Sequence, residues 1–211
     1  MMWTWSLNWG DITPRIVIGT CPMMPSDLGR IKAEANVSAV LSLQHNDCLA
    51  FWSIDYSQMH QEGQKLALTM LRCPIRDFDI RDMQRCLPDA VASLAGLQAA
   101  GHRTYIHCTA GLGRAPLVVL GYLTLVERAT PDQAISRILE GRPGAVPAWE
   151  AFHGARADLV AQFRRLIERR AYDLYQQSVN PSAVEDWCQA EAEILRSVLF
   201  NSEPSDELTR T

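Results

Sequence analysis

His107-Cys108-Thr109-Ala110-Gly111-Leu112-Gly113-Arg114-Ala115-Pro116, the stretch HCTAGLGRAP, decides how the rest of this 211-residue chain is read. It follows TYIHC (104–108), an apolar run that reads as a buried strand, and opens APLVVLGYLTLVERA (115–129), which has helical period. A strand, a turn rich in small residues and a helix N-terminus therefore meet around one cysteine. A thiol is a useful nucleophile only as thiolate, which needs positive potential from amides, a helix N-terminus or a cation. Gly111 and Gly113 let successive N–H groups converge, the helix directs its free N–H groups backward, and Arg114 can clamp two oxygens of an anion bidentately. The spacing describes a cradle for a dianion above the sulfur of Cys108, built by Thr109, Ala110, Gly111, Leu112 and Gly113.

Six cysteines give six chances of an arginine six places later, so the bare spacing is weak and the whole string carries the argument. A nucleotide-binding phosphate loop would end in Gly-Lys-Ser/Thr, which is absent, and neither this stretch nor the cysteine positions 21, 48, 73, 86, 108 and 188 show zinc-site spacing. No metal and no cofactor are expected.

Outward from the loop the pattern alternates. RIVIG (15–19), VSAVLSLQ (37–44), TMLRCPI (69–75) and TYIHC read as strands, with helices expected over about 26–35, 57–67 and the stretch after Pro88. Ser26-Asp27 is read as the cap of the first helix, and the charged segment RDFDIRDMQR (76–85) as a loop. Thr130 followed by Pro131 marks another helix start, and further helices are expected over 148–177 and 182–199, with a break at VNPSA and a frayed polar tail from 201. The fold class is α/β, a central sheet flanked by helices, with residues 1–160 as the catalytic domain and 161–211 as a C-terminal helical extension.

Composition sets limits on function. A 47% hydrophobic and 21% charged chain is ordinary globular material, and a net charge of −4 offers no global field for nucleic acid or an anionic membrane. No run of 18 apolar residues occurs, and MMWTWSLNWGD lacks the basic start of a signal peptide, so no membrane span, leader or transit peptide is expected. With no zinc-site spacing and no leader, reduced thiols in a cytoplasmic compartment are expected. Trp3, Trp5 and Trp9 read as a packing strap.

HCTAGLGRAP resembles the signature of cysteine-dependent protein-tyrosine and dual-specificity phosphatases, His-Cys, five residues, Arg. Its inner letters, with Gly113 before the arginine and Ala115 after it, are similar to plant glucan phosphatases of the starch-excess type. IRDFD, LPDAV and RIVIGTCPMMPSDLGRI followed by VLSLQ extend that similarity over about residues 7–160, although no added carbohydrate-binding module is seen. The resemblance implies a phosphocysteine on Cys108, stabilisation by Arg114 and the loop amides, and a general acid on an upstream loop. Asp77, Asp79 and Asp82 compete for that role; Asp77, 31 residues before Cys108, is favoured and Asp79 comes second. His107 is expected to orient the loop.

A sugar channel would need aromatic faces, for which Phe78 is the first candidate and Phe51 and Trp52 the next, each with loop packing or core burial as the alternative. Cys73 and Cys86 flank the acid loop, as inert buried thiols or as a resolving partner for Cys108. The substrate expected is phosphorylated glucan, with phosphoprotein as the alternative. A silent phosphate-binding module and a rhodanese-like sulfur transferase are the readings outside this class.

Overall fold

The computed structural model describes residues 5–178 and 181–201. Trp3, Val179 and Asn180 of the VNPSA break and most of the polar tail lie outside the described residues.

Five strands form one sheet in the order β1-β2-β5-β3-β4: Trp9–Thr13, Ile16–Gly19, Thr104–His107, Ala39–Gln44 and Thr69–Ile75. β2, β5, β3 and β4 run parallel, and β1 pairs antiparallel with β2 at the edge. The inner strands IVIG, AVLSLQ and TYIH are buried at every position, as expected of parallel strands covered on both faces. Alternation divides them between two cores: Ile16, Ile18, Leu41 and Ile106 face one, while Val17, Val40 and Tyr105 face the other.

Helices α1 (Pro25–Glu34), α2 (Asn46–Phe51) and α3 (Tyr56–Lys65) follow β2 and β3. Helices α4 (Ile80–Ala99), α5 (Arg114–Gly121), α6 (Pro131–Gly141), α7 (Trp149–Gln177) and α8 (Ala183–Asn201) come after β4. The larger core gathers α4 to α8 against the sheet. Residue 160 falls within the continuous helix α7, and Leu195 and Leu199 of α8 enter the same core as Ile106 of β5.

Two local expectations are corrected. α1 is not capped by Ser26-Asp27. Pro25, preset for a first turn, starts the helix, and Asp27 reaches back so that its Oδ2 accepts the amides of Met23 (2.9 Å) and Met24 (3.0 Å). The charged loop is only four residues long: α4 begins at Ile80 and runs through Pro88. Met83 and Leu87 bury the first turns against the core, which outweighs the hydrogen bond the proline removes. Between β3 and α3, His45 caps the short helix α2 by accepting the Asp47 amide at 3.3 Å. After α5 the chain widens into one π turn at Tyr122–Val126, where Thr124 Oγ1 donates to the Leu120 carbonyl at 2.7 Å. Thr130 caps α6 as read, in a reciprocal box with Gln133.

Because four strands run parallel, their C-terminal ends open on one edge of the sheet. Gly19 and Ser42 stand beside His107, and Gln44 beside Ile75. The loops after β2, β3, β4 and β5 therefore converge there, the place where open α/β sheets bind ligands.

Candidate active site

Cys108 follows the last residue of β5 and is 3% exposed. The loop turns at Gly111, whose φ of +68° suits glycine; a Cβ there would lie 2.4 Å from the Gly19 carbonyl oxygen. Gly113 then starts α5, with Arg114 as its first residue.

The Arg114 guanidinium is wholly buried and bound on several sides. Nη1 donates to the Ile75 carbonyl (2.9 Å) and approaches Cys48 Sγ (3.4 Å), while Nη2 donates to Asp77 Oδ2 (2.7 Å) and Thr109 Oγ1 (3.2 Å). Nε is buried with no partner among the described residues. Nε and Nη2 share the edge that grips two oxygens of a phosphate, so the orphaned donor is the one an oxyanion would satisfy. Burial opposes the charge of Arg114, but Cys108 and Asp77 beside it hold it protonated.

The hydrogen bonds sort the three carboxylates. Asp79 Oδ1 accepts the Asp82 amide at 3.0 Å as the cap of α4. Asp82 accepts the Arg76 amide (2.8 Å) and Arg85 Nη2 (2.6 Å); burial pushes its carboxyl up, but these donors outweigh it and hold it below the ordinary range. Asp77 has no capping duty, pairs with Arg114, and keeps 36% of its side chain exposed.

His107 Nδ1 lies 2.9 Å from the Cys108 carbonyl oxygen, which can only accept, so Nδ1 carries the proton. Burial, aided by the charge of Arg114, pushes its pKa down to about 4. The ring is thus a neutral support for the loop at neutral pH.

A cleft of about 860 Å³ opens above the thiol. Phe78, Phe51 and Trp52 all line it together with Cys108, Thr109, Ala110, Leu112 and Gly113. Phe78 is 93% exposed and holds φ +58°, unusual for an aromatic residue, while Phe51 is 77% exposed. Trp52 is half-buried, meeting Phe51 edge-on at 5.1 Å between ring centroids. Core burial, the alternative for Phe51, is excluded.

The thiol bordering the cleft beside Cys108 is Cys48, which sequence reasoning missed because no local pattern links it to the loop. Neither Cys73 nor Cys86 lines the cleft. The Cys73 thiol donates to Ser93 Oγ at 3.2 Å and is pushed up to about 11 by burial. Cys21, behind the loop, is pushed up to about 12, first by burial and then by Cys108. Arg142, also unmarked by any motif, is buried against the loop carbonyls.

A thiol at the end of a parallel strand, a glycine-shaped anion cradle and a buried arginine define a phosphate-directed cysteine centre. The match to known families is specific: residues 27–153 match the family described as dual specificity phosphatase, catalytic domain, and the chain belongs to that family. It is 31% identical over 163 residues to the phosphoglucan phosphatase DSP4, amyloplastic, of Castanea sativa, covering 76% of this chain and 43% of that protein. It is 29% identical over 155 residues to the phosphoglucan phosphatase LSF1, chloroplastic, of Arabidopsis thaliana, covering 74% and 26%. Laforin of Mus musculus is 25% identical over 176 residues, covering 76% and 52%. The chain thus spans about half or less of the length of these relatives. The fold is also that of the crystal structure of PTPMT1, with TM-score 0.55 at 19% identity over 74% of this chain and 99% of that one.

Proposed function

We propose that this chain is a phosphatase that removes phosphate from phosphorylated glucan through a phosphocysteine intermediate. The observation that carries the substrate class is the pair of exposed rings, Phe78 and Phe51, lining the cleft that leads to Cys108. Flat apolar faces at the rim of an anion cradle suit sugar rings bearing a phosphate, and an exposed aromatic held at positive φ is a strain that binding can justify. The resemblance to phosphoglucan phosphatases supports the same reading.

In the first step the Cys108 thiolate attacks phosphorus and forms the S–P bond while the bond to the sugar oxygen breaks. Asp77, as the acid, gives its proton to that oxygen. In the second step Asp77, now a carboxylate, takes a proton from water as the water oxygen attacks phosphorus and the S–P bond breaks, returning thiolate and inorganic phosphate. Arg114 and the loop N–H groups hold the equatorial oxygens in both steps, where fixed donors are worth most. An arriving phosphate competes with Asp77 for Arg114 Nη2, which frees the carboxyl to face the leaving oxygen. Six free thiols agree with a reducing, cytosol-like compartment.

The test is phosphate release in EDTA from phosphorylated amylopectin, a phosphotyrosine peptide and para-nitrophenyl phosphate, with wild type and Cys108→Ser. Release from the glucan by wild type alone is expected. Release confined to the peptide and the small ester would move the substrate to phosphoproteins.

A further inference from the structure

The phosphate loop is shaped from behind as much as by its own letters. Thr109 O accepts the Cys21 amide (2.9 Å), Ala110 O accepts Arg142 Nη2 (2.8 Å), Gly111 O accepts Arg142 Nε (3.3 Å) and Leu112 O accepts the Val146 amide (2.7 Å). In a trans peptide the carbonyl of one residue and the N–H of the next point in opposite directions. Pinning four successive carbonyls outward therefore turns the N–H groups of Ala110, Gly111, Leu112 and Gly113 inward, toward the anion. Arg142 holds two of the four.

The charge of Arg142 has no counterpart of its own. The side chain is 9% exposed, its third nitrogen, Nη1, donates to Asn8 Oδ1, and among the described residues no carboxylate pairs with it. A buried guanidinium with only neutral acceptors is costly unless something nearby is negative. Burial lowers its pKa, while Tyr105 and then Cys108 oppose that fall. Cys108 stands on the other side of the same loop, so an anion held in the cradle would add to the groups that favour the charge of Arg142.

Asn8 belongs to the N-terminal strap. Its backbone is laced to Thr20, with the Asn8 amide donating to Thr20 Oγ1 at 3.1 Å and the Thr20 amide to the Asn8 carbonyl at 3.0 Å. Trp5 Nε1 donates to the Cys21 carbonyl at 3.1 Å, and Trp9 meets Tyr105 edge-on. A Cβ on Gly10 would lie 1.6 Å from the Gly141 carbonyl oxygen, so the strap and the end of α6 touch backbone to backbone beside Arg142.

We propose that Arg142, held by Asn8 of the N-terminal strap, is a positioning residue that sets the phosphate loop for oxyanion binding through the Ala110 and Gly111 carbonyls. It acts through the loop and touches no substrate atom. The inference rests on the reading of this loop as an oxyanion cradle and is independent of whether the substrate is a glucan.

The experiment compares wild type with Arg142→Ala, Arg142→Lys, Asn8→Ala and Arg103→Ala. It measures kcat and KM on para-nitrophenyl phosphate, the inhibition constant of orthovanadate, and the melting temperature. Arg103 serves as control because it also ties backbone carbonyls, those of Ala35 and Pro14, but stands at the opposite end of β5. Arg142→Ala and Arg142→Lys are each expected to lose about 10²-fold in kcat/KM, the scale of a misplaced donor set, and to weaken vanadate by a similar factor. Asn8→Ala should move both readings in the same direction by about tenfold. Arg103→Ala should lower the melting temperature with vanadate affinity unchanged.

Lysine keeps the charge but lacks the fork that reaches two carbonyls, so wild-type behaviour of Arg142→Lys would overturn the inference. Should the Arg142 variants not fold, Asn8→Ala decides alone, and unchanged vanadate affinity there also overturns it. A wild type that neither cleaves the ester nor binds vanadate would sink the reading of the loop along with the inference; a wild type that does both, with the variants unchanged, would sink the inference alone.

Discussion

Within seven residues, Arg76 to Asp82, three carboxylates receive three different sets of donors, and these donors separate their roles. A carboxyl that caps a helix or accepts amides is committed to those donors, whereas a general acid must be free to face the leaving oxygen. Asp77→Ala should therefore slow turnover of poor leaving groups by about 10²–10⁴-fold, with a smaller effect on para-nitrophenyl phosphate, whose oxygen leaves without help. Steady-state kinetics on both esters checks this, and the same defect in Asp79→Ala instead would show the wrong acid was chosen. His107 adds a pH dependence of stability. Its folded value near 4 lies below the ordinary 6.5, so its neutral state supports the fold fully above pH 6.5, and that support is lost as pH falls toward 4. The loss amounts to about 3 kcal/mol. Urea midpoints between pH 7 and pH 4 should fall less steeply in His107→Asn than in wild type.

At the level of elements, helix starts were legible where the cap and its partner lie within a few residues. Thr130 announced α6 because Pro131 and Gln133 complete its box. The start of α4 is hidden in the sequence because Pro88 mimics a boundary, while the signal that starts the helix, Asp79, resembles a candidate acid. Asp79→Ala removes that cap and is expected to cost about 1 kcal/mol of stability while leaving the Asp77–Arg114 pair in place. Chemical denaturation beside an activity assay would separate the two effects. The strands were the clearest elements, since buried parallel strands are written as unbroken apolar runs.

The whole molecule places the site by strand direction. Only a parallel arrangement of β2, β5, β3 and β4 delivers Cys48, Asp77 and Cys108, from the segments that follow β3, β4 and β5, to one edge. The last two helices support this arrangement from a distance: Leu195 of α8 is 1% exposed in the core shared with α4 and β5. Leu195→Ala should cost about 2–5 kcal/mol through the cavity it leaves, lowering the melting temperature with little change in kcat of the folded protein. A selective fall in kcat at unchanged stability would show instead that α8 acts on the site.

The sequence by itself determined Cys108 and Arg114 as the candidate centre, the glycine-shaped loop between them and the α/β class, because each is written in residues that are neighbours along the chain. Tertiary structure alone decided which aspartate meets Arg114, 37 residues away, that Phe51 stands exposed at the cleft, and that Asn8 and Arg142, 134 residues apart, brace the loop. Backbone preference and hydrophobic period act over a few residues, whereas these pairings depend on how strands and helices pack, which no local pattern records.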